Sequence, residues 1–289
     1  MLCPYDNELS SILYQSNNKD KKIDLKCTSD VHEKPTLYKC TKCNLIFSEY
    51  IHSKFEEGYS NVEDKKYIQQ IPYKQKYFDL YFSKIRSFLN KDHKVLEIGS
   101  YYGILGNIIK PHVKEYTGLE LSKHAAEYSN KNFELNIANE PLEEFVKKNN
   151  KFDIIIMNDV IEHLDDPFKS LKFIEKSLKS NGILIFTTFN IDSIFPKIFK
   201  SKYHWIMPMH KFYFSNSTLK FFLKANNMDL FKIKTDTRLI SFEYLLEKFC
   251  VLAPKINFIF KFFLKLDFLK KMTIKINLLD LNIYFAKKN

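Results

Sequence analysis

Short apolar runs punctuate the middle of the chain: KVLEIG at 94–99, EYTGLEL at 115–121, FELNI at 133–137, FDIIIMN at 152–158 and GILIFTTF at 182–189. Each has the length of a strand and bears few polar residues, which predicts strands buried on both faces. The stretches between them, such as 122–131, 141–149 and 167–180, have helical character. Strand alternating with helix at this spacing predicts βαβ units and an α/β fold with a parallel, doubly wound sheet. Upstream, YKQKYFDLYFSKIRSFLN sets Tyr77, Leu80, Tyr81, Ile85, Phe88 and Leu89 at helical spacing, an amphipathic helix leading into the sheet. Downstream, 228–236 and 279–287 predict two more strands, separated by an apolar, aromatic, lysine-laced insertion at about 238–275.

Composition changes this picture little. Hydrophobic residues fill 45% of the 289 positions and aromatic ones 16%, enough for a large core and too many for a disordered chain. Glycine numbers only 6, and Gly99, Gly103 and Gly106 all fall within KVLEIGSYYGILG, so the backbone there has a use for them. The formal net charge is +11, but the lysines are scattered, so they read as solvated faces and no nucleic-acid partner is expected. No apolar stretch approaches the roughly 20 residues of a membrane span and no leader opens the chain, which predicts a cytoplasmic protein.

The cysteines add a second element. Four of the five lie in the first 43 residues: Cys3, Cys27, and the pair Cys40 and Cys43 in YKCTKCNLIF. A C-x-x-C followed by a strand has the shape of a zinc knuckle, where a tight turn aims two thiolates at one ion. Asp6 stands where a matching partner for Cys3 would fall, so the fourth ligand is Cys27, Asp6 or His32. Thiolate suits a structural zinc best, which makes Cys3, Cys27, Cys40 and Cys43 the expected set. The other reading is four reduced, half-buried cysteines without metal. The expected organisation is a zinc-ribbon-like module at 1–57, a linker at 58–73 and the main domain at 74–289.

In a parallel sheet the ligand sits beyond the carboxyl ends of the strands. Glu97 ends the first strand, Gly99 turns the chain, Gly103 lets the next helix approach, and Glu120 ends the second strand, where a carboxylate can accept from two ribose hydroxyls. These residues resemble the first motifs of the class I S-adenosylmethionine-dependent methyltransferases, an acidic residue followed by glycines at the second, fourth and sixth places, with Tyr101 here at the middle glycine. FDIIIMNDVIEHLDDP is similar to the fourth-strand motif of the ubiquinone-type and glycan-associated members. The resemblance covers residues from about 74 onward and implies a Rossmann-like, seven-stranded sheet whose last two strands pair as a hairpin. It also implies S-adenosylmethionine as cofactor, with Glu97, Gly99, Tyr101, Gly103, Glu120, Leu121, Asn139 and Asn158 around it. A cysteine knuckle ahead of this domain occurs in such proteins, notably in sugar methyltransferases.

The chemistry expected is methyl transfer to a hydroxyl of a sugar, glycan or glycolipid precursor, with a quinone-pathway acceptor and a non-catalytic cofactor-binding scaffold as the other readings. Transfer from a sulfonium is an in-line displacement, aided by a general base when the acceptor is a hydroxyl. Asp159 lines the donor pocket, and His163 and His210 are candidate bases. Glu162 and His163 have the alternative role of capping the loop. His204, Trp205 and Tyr213 offer an aromatic acceptor wall or, equally, a buried loop. Residues 240–272 suggest a lid, an interfacial helix making peripheral contact with the inner face of a membrane, or a dimer face.

Overall fold

In the computed structural model the described residues are all but 17–22, 27, 29–33, 244–245, 247–249, 251–255, 267–268 and 270–271, together with the side chains of 240 and 241. The elements in chain order are β1 (Ser10–Tyr14), β2 (Leu37–Cys40), β3 (Ile46–Ser48), α1 (Phe55–Tyr59), α2 (Lys65–Gln69), α3 (Ile71–Ile85), β4 (Lys94–Ile98), α4 (Ile104–Ile109), β5 (Glu115–Leu119), α5 (Lys123–Phe133), β6 (Ile137–Ala138), α6 (Leu142–Val146), β7 (Phe152–Asn158), α7 (Pro167–Ser177), β8 (Leu178–Phe189), α8 (Ile194–Phe199), β9 (Phe212–Tyr213), α9 (Asn216–Ala225), β10 (Met228–Thr235), β11 (Arg238–Ser241), α10 (Asn257–Phe263), β12 (Thr273–Ile276) and β13 (Leu281–Lys288).

The apolar runs pair as one 7-stranded sheet in the order β10-β13-β8-β7-β4-β5-β6. From β6 to β8 the strands are parallel, and β13 is antiparallel to both β8 and β10. Both faces are covered, which is why the runs do not alternate. Val95, Ile154 and Ile156 pack with Tyr81, Ile85 and Leu105 on one side. Leu96, Ile98, Ile155 and Met157 pack with Leu171 and Ile174 on the other. Chain order reverses between β4 and β7, so the crevice beyond their carboxyl ends is where the topology places a ligand.

Two boundaries differ from the sequence pattern. The helix α5 continues through Phe133 and ends only at Glu134, whose φ of 51° breaks it, leaving β6 with 2 residues. The helix α7 stops at Ser177, and Leu178 already begins β8. Its start is legible in DDP, where Asp166 caps Phe168 and Lys169 and Pro167 takes the first turn.

The amino-terminal segment shares its sheet and its core with the rest of the chain. Strands β1, β2 and β3 form a 4-stranded sheet whose last member is β9, from beyond residue 200. Cys3, Cys40, Leu45 and Phe47 pack in the same buried cluster as Leu96, Phe212 and Phe222. Tyr5 meets Phe168 and Phe222 at ring distances of 4.9 and 4.7 Å. The insertion is rooted by an antiparallel β11–β12 hairpin running from Arg238↔Ile276 to Ser241↔Thr273, with α10 between the two strands in sequence. Among the described residues no helix is long and apolar enough to cross a membrane.

Candidate active site

The turn after β4 has alternate residues in the left-handed region: Gly99 and Gly103 at φ 72° and Tyr101 at φ 47°. A Cβ on Gly99 would lie 2.5 Å from Val160 Cγ2, and one on Gly103 2.7 Å from Ser129 Oγ, so neither position has room for a side chain. Tyr101 has the backbone shape that a middle glycine would provide, at the strain a bulky residue meets there. Its surroundings hold it. Its amide donates to Glu120 Oε2 at 2.7 Å, its hydroxyl donates to Asp64 Oδ2 at 3.2 Å, and its ring meets Tyr67 edge-on at 4.6 Å. The Tyr102 hydroxyl in turn accepts from the Asp64 amide at 2.9 Å. The two tyrosines between the glycines therefore clamp the segment around Asp64 and Tyr67 against the loop.

Glu120 is buried at the end of β5, and both its oxygens are held, Oε1 by the Ser122 amide at 2.7 Å and Oε2 by that of Tyr101. Burial pushes its carboxyl above the usual range, and these amides oppose the shift. Asn139 fixes the following turn by donating to the carbonyls of Glu120 and Leu121, both at 2.8 Å. Ser122 caps α5 and donates to the Val62 carbonyl at 2.6 Å, a second tie to the overlying segment. Glu97 lies deeper. Its Oε2 accepts from the Tyr116 hydroxyl at 2.5 Å, and burial pushes its carboxyl up to about 8.

Beyond β7 the backbone turns sharply at Asp159, φ 52°. Its Oδ1 accepts from Thr187 Oγ1 at 2.8 Å, and its Oδ2 from Arg238 Nη2 at 2.7 Å. The guanidinium of Arg238 lies between two rings, 5.3 Å from Tyr77 and 5.2 Å from Trp205. The root of the same hairpin is fixed by Asp236, which accepts from the Tyr77 hydroxyl at 2.8 Å and from Lys84 at 2.7 Å. Burial alone would raise the Asp159 carboxyl, but the Arg238 charge together with the hydrogen bonds from Thr187 and Arg238 outweighs it and holds the group below the usual range. Glu162 goes the other way. Burial, then the charge of Asp159, pushes it up to about 8, so near neutrality one carboxyl is ionised and its neighbour mostly protonated.

His163 lies 3.0 Å by Nδ1 from the Met209 carbonyl, and its ring is 4.6 Å from that of His210. His210 Nδ1 is 2.7 Å from the Trp205 carbonyl. A carbonyl can only accept, which assigns a proton to Nδ1 in both rings. Burial lowers the His163 imidazole to about 4. The loop itself is anchored by Lys211, fully buried, which donates to the Ser53 carbonyl and Asp165, and whose amide donates to the Glu162 carbonyl at 2.8 Å. His204 is exposed, whereas Tyr213 is buried in β9 with its hydroxyl on the Met207 carbonyl.

Several polar atoms here are buried and, among the described residues, lack a hydrogen-bond partner: Ser100 Oγ, both amide atoms of Asn158, Glu162 Oε2, Thr188 Oγ1 and Arg238 Nε. Asp64, Thr187 and Arg238 were not visible as site residues in the sequence. Arg238 had a signal: it is one of two arginines, with Arg86, in a chain that uses lysine everywhere else.

Two clusters bring metal-ligating atoms within 4.8 Å of one another: Glu162, His163 and His210, and Cys3, Asp6, Cys40 and Cys43. In the second, Cys3 Sγ and Cys43 Sγ are 3.7 Å apart, and the amides of Lys42 and Cys43 both donate to Cys40 Sγ at 3.4 Å. Asp6 fills the fourth place. Cys27 and His32, the other residues considered for it, lie outside the described residues.

A seven-stranded sheet with its carboxyl-end crevice, a left-handed glycine loop and an acidic residue ending the second strand define a class I, S-adenosylmethionine-dependent methyltransferase fold. The chain belongs to the methyltransferase domain family, whose model matches residues 72–232. It is 29% identical over 107 residues to a ubiquinone biosynthesis O-methyltransferase of Actinobacillus pleuropneumoniae serotype 5b, a match covering 34% of this chain and 46% of that enzyme. A Coxiella burnetii protein of the same name is 28% identical over 105 residues, covering 35% of this chain and 45% of its own length. The chain thus spans about half the length of the curated relatives it matches. Its fold is similar to that of a Thermotoga maritima SAM-dependent methyltransferase, with a TM-score of 0.52 at 17% identity, covering 78% of this chain and 95% of the other. A Bacillus halodurans C-125 chain described as a methyltransferase has a TM-score of 0.53 at 15% identity, covering 72% and 98%.

Proposed function

We propose that this chain transfers a methyl group from S-adenosylmethionine to a hydroxyl of a saccharide or glycan precursor. The residues present fit the cofactor. Glu120 has one amide on each oxygen, which leaves a carboxylate lone pair on each for the two ribose hydroxyls. Among the described residues the buried Ser100 hydroxyl is still to be satisfied, and Gly99, Tyr101 and Gly103 give the loop a backbone that a ligand can approach. Leu121 and Asn139 would flank the adenosine, with Glu97 beneath the loop. Bound there, S-adenosylmethionine supplies an electrophilic methyl group on a sulfonium.

The observation that carries a hydroxyl acceptor is the group beyond β7: two imidazoles oriented through Nδ1 by backbone carbonyls, with His163 kept neutral by burial, beside an ionised Asp159. A hydroxyl must lose its proton as it is methylated, and a neutral imidazole can take it while Asp159 stabilises the resulting cation. Arg238 keeps Asp159 charged, and the clamped Asp64 segment helps exclude water. The buried, polar side chains of Glu162 and Thr188 suit an acceptor with several hydroxyls better than a flat phenol. A phenolic, quinone-pathway acceptor is the second reading, favoured by the names of the sequence relatives. Calorimetric titration with S-adenosylmethionine tests both against a non-catalytic scaffold, since no binding at millimolar cofactor overturns both. Glu120→Ala should weaken binding by ~1–3 kcal/mol through loss of a charged acceptor, and an unchanged dissociation constant would contradict its role. A screen of nucleotide sugars against polyprenylated phenols then separates the two acceptors.

We further propose a structural zinc on Cys3, Asp6, Cys40 and Cys43. Two thiolates each ~2.3 Å from one tetrahedral ion lie about 3.8 Å apart, close to the 3.7 Å between Cys3 and Cys43. Amide donation to Cys40 Sγ supports the same reading, because it stabilises thiolate charge.

A further inference from the structure

Two exposed apolar helices lie in the segments that follow strands ending at the same end of the sheet as the site. Strands β8 and β10 run the same way, each antiparallel to the β13 between them, so the segments that follow them leave the sheet at the end where Asp159 and the glycine loop lie. After β8 comes α8, where Ile194 and Ile198 are 62% and 65% exposed, with Lys197, Lys200 and Lys202 in it or just beyond. After β10 comes the hairpin bearing α10, none of whose residues is buried, with Phe258 and Phe262 at 67% and 61% exposure. At helical spacing Phe258, Ile259, Phe262 and Phe263 share one broad arc, and Asn257 and Lys261 lie on the other side.

Apolar exposure of this size needs a partner, and its charge says which. From 255 to 271 the sequence KINFIFKFFLKLDFLKK has Lys255, Lys261, Lys265, Lys270 and Lys271 against a single acid, Asp267. Two copies of so basic a segment would repel, whereas aromatic residues flanked by lysines match an anionic lipid interface, rings in the headgroup region and ammonium groups at the phosphates. We propose that α8 and α10 dock this edge on an anionic membrane surface. On the reading of a glycan acceptor given above, the acceptor is then the hydroxylated head of a lipid-linked molecule, entering beside Arg238 without leaving the bilayer.

Flotation of the full chain with phosphatidylcholine vesicles, with and without about one-third phosphatidylglycerol, tests the surface. Partition to the anionic vesicles only is the expected result. Phe258→Ser with Phe262→Ser, and separately Ile198→Ser with Phe199→Ser, should weaken it about tenfold or more, since each change removes apolar area from the lipid. Lys261→Gln with Lys265→Gln should weaken it about fivefold per lysine. All these residues are exposed or lie on an exposed segment, so the variants should keep the wild-type melting temperature and cofactor affinity. Absence of partition, equal partition to both vesicles, or partition indifferent to the phenylalanine changes would overturn the proposal. So would a dimer in sedimentation that the Phe258→Ser, Phe262→Ser variant abolishes while vesicle binding is nil. Vesicle binding does not depend on methyl transfer: failure to float with intact cofactor binding leaves the enzymatic reading standing, and flotation without cofactor binding leaves only the docking surface.

Discussion

Glu97→Gln should make the unliganded protein more stable at alkaline pH and flatten its stability profile. Glu97 is 3% exposed, and among the described residues its carboxyl accepts one hydroxyl, that of Tyr116 at 2.5 Å. In the folded chain its carboxyl titrates at about 8 against an ordinary value of 4.5. A carboxyl raised on folding binds its proton more tightly in the native state, so its contribution is complete below pH 4.5 and is lost as pH rises towards 8. At ~1.4 kcal/mol per pH unit the loss is about 5 kcal/mol, with one unit of latitude in the folded value moving it by ~1.4 kcal/mol. Glutamine mimics the protonated form, and its oxygen can still accept from Tyr116. The variant should lie within about 1 kcal/mol of wild type at pH 5 and be several kcal/mol more stable at pH 8.5. Urea unfolding of both proteins from pH 5 to 9, in matched salt and without cofactor, measures the difference and cancels the contributions of the other buried acids. Parallel profiles, or a variant less stable at pH 8.5, would show that Glu97 is charged in the fold and that the burial argument is wrong.

Arg238→Met should remove the cation that keeps Asp159 ionised. Both side chains are about one-third exposed, so the loss in stability should be about 1–2 kcal/mol rather than the value for a dry pair, and adding Asp159→Asn should recover most of it in thermal melts. His163 has a folded value near 4 against 6.5. A depressed base contributes fully above pH 6.5 and loses that contribution as pH falls, so His163→Gln should flatten the acid side of the stability profile by ~3 kcal/mol. If His163 takes the acceptor proton, the acid limb of kcat should lie near 4; a limb at 6.5 that survives in the variant would assign that role elsewhere. Purified protein should carry about one equivalent of zinc by elemental analysis, and Asp6→Ala should release it about as readily as Cys40→Ser. Release by Cys27→Ser with Asp6→Ala silent would move the fourth ligand to Cys27. Because β3 pairs with β9, stripping the metal should also loosen the loop that holds His210, which hydrogen exchange on residues 203–214 would detect.

Periodicity alone decided the parallel sheet, since short runs such as FDIIIMN can bury both faces only between two layers of helices. Local chemistry decided the turn after β4 and the start of α7, because glycine between strand and helix, and Asp166 before Pro167, act over a few residues. Residues far apart in sequence were legible only through the fold. Nothing near Arg238 announces that it would meet Asp159, 79 positions away, or that Asp64 would be clamped by Tyr101 and Tyr102. The amino-terminal segment shows the same limit. Its cysteines and the strand after the C-x-x-C were visible, but the last strand of its sheet is a two-residue piece at Phe212 and Tyr213, too short to carry a periodic signal. Protonation also belonged to the tertiary structure: Asp159, Glu162 and Glu97 are ordinary acids in sequence. Burial, the charge of Asp159 on Glu162, and the cation and hydrogen bonds held against Asp159 leave one charged and two mostly protonated near neutrality.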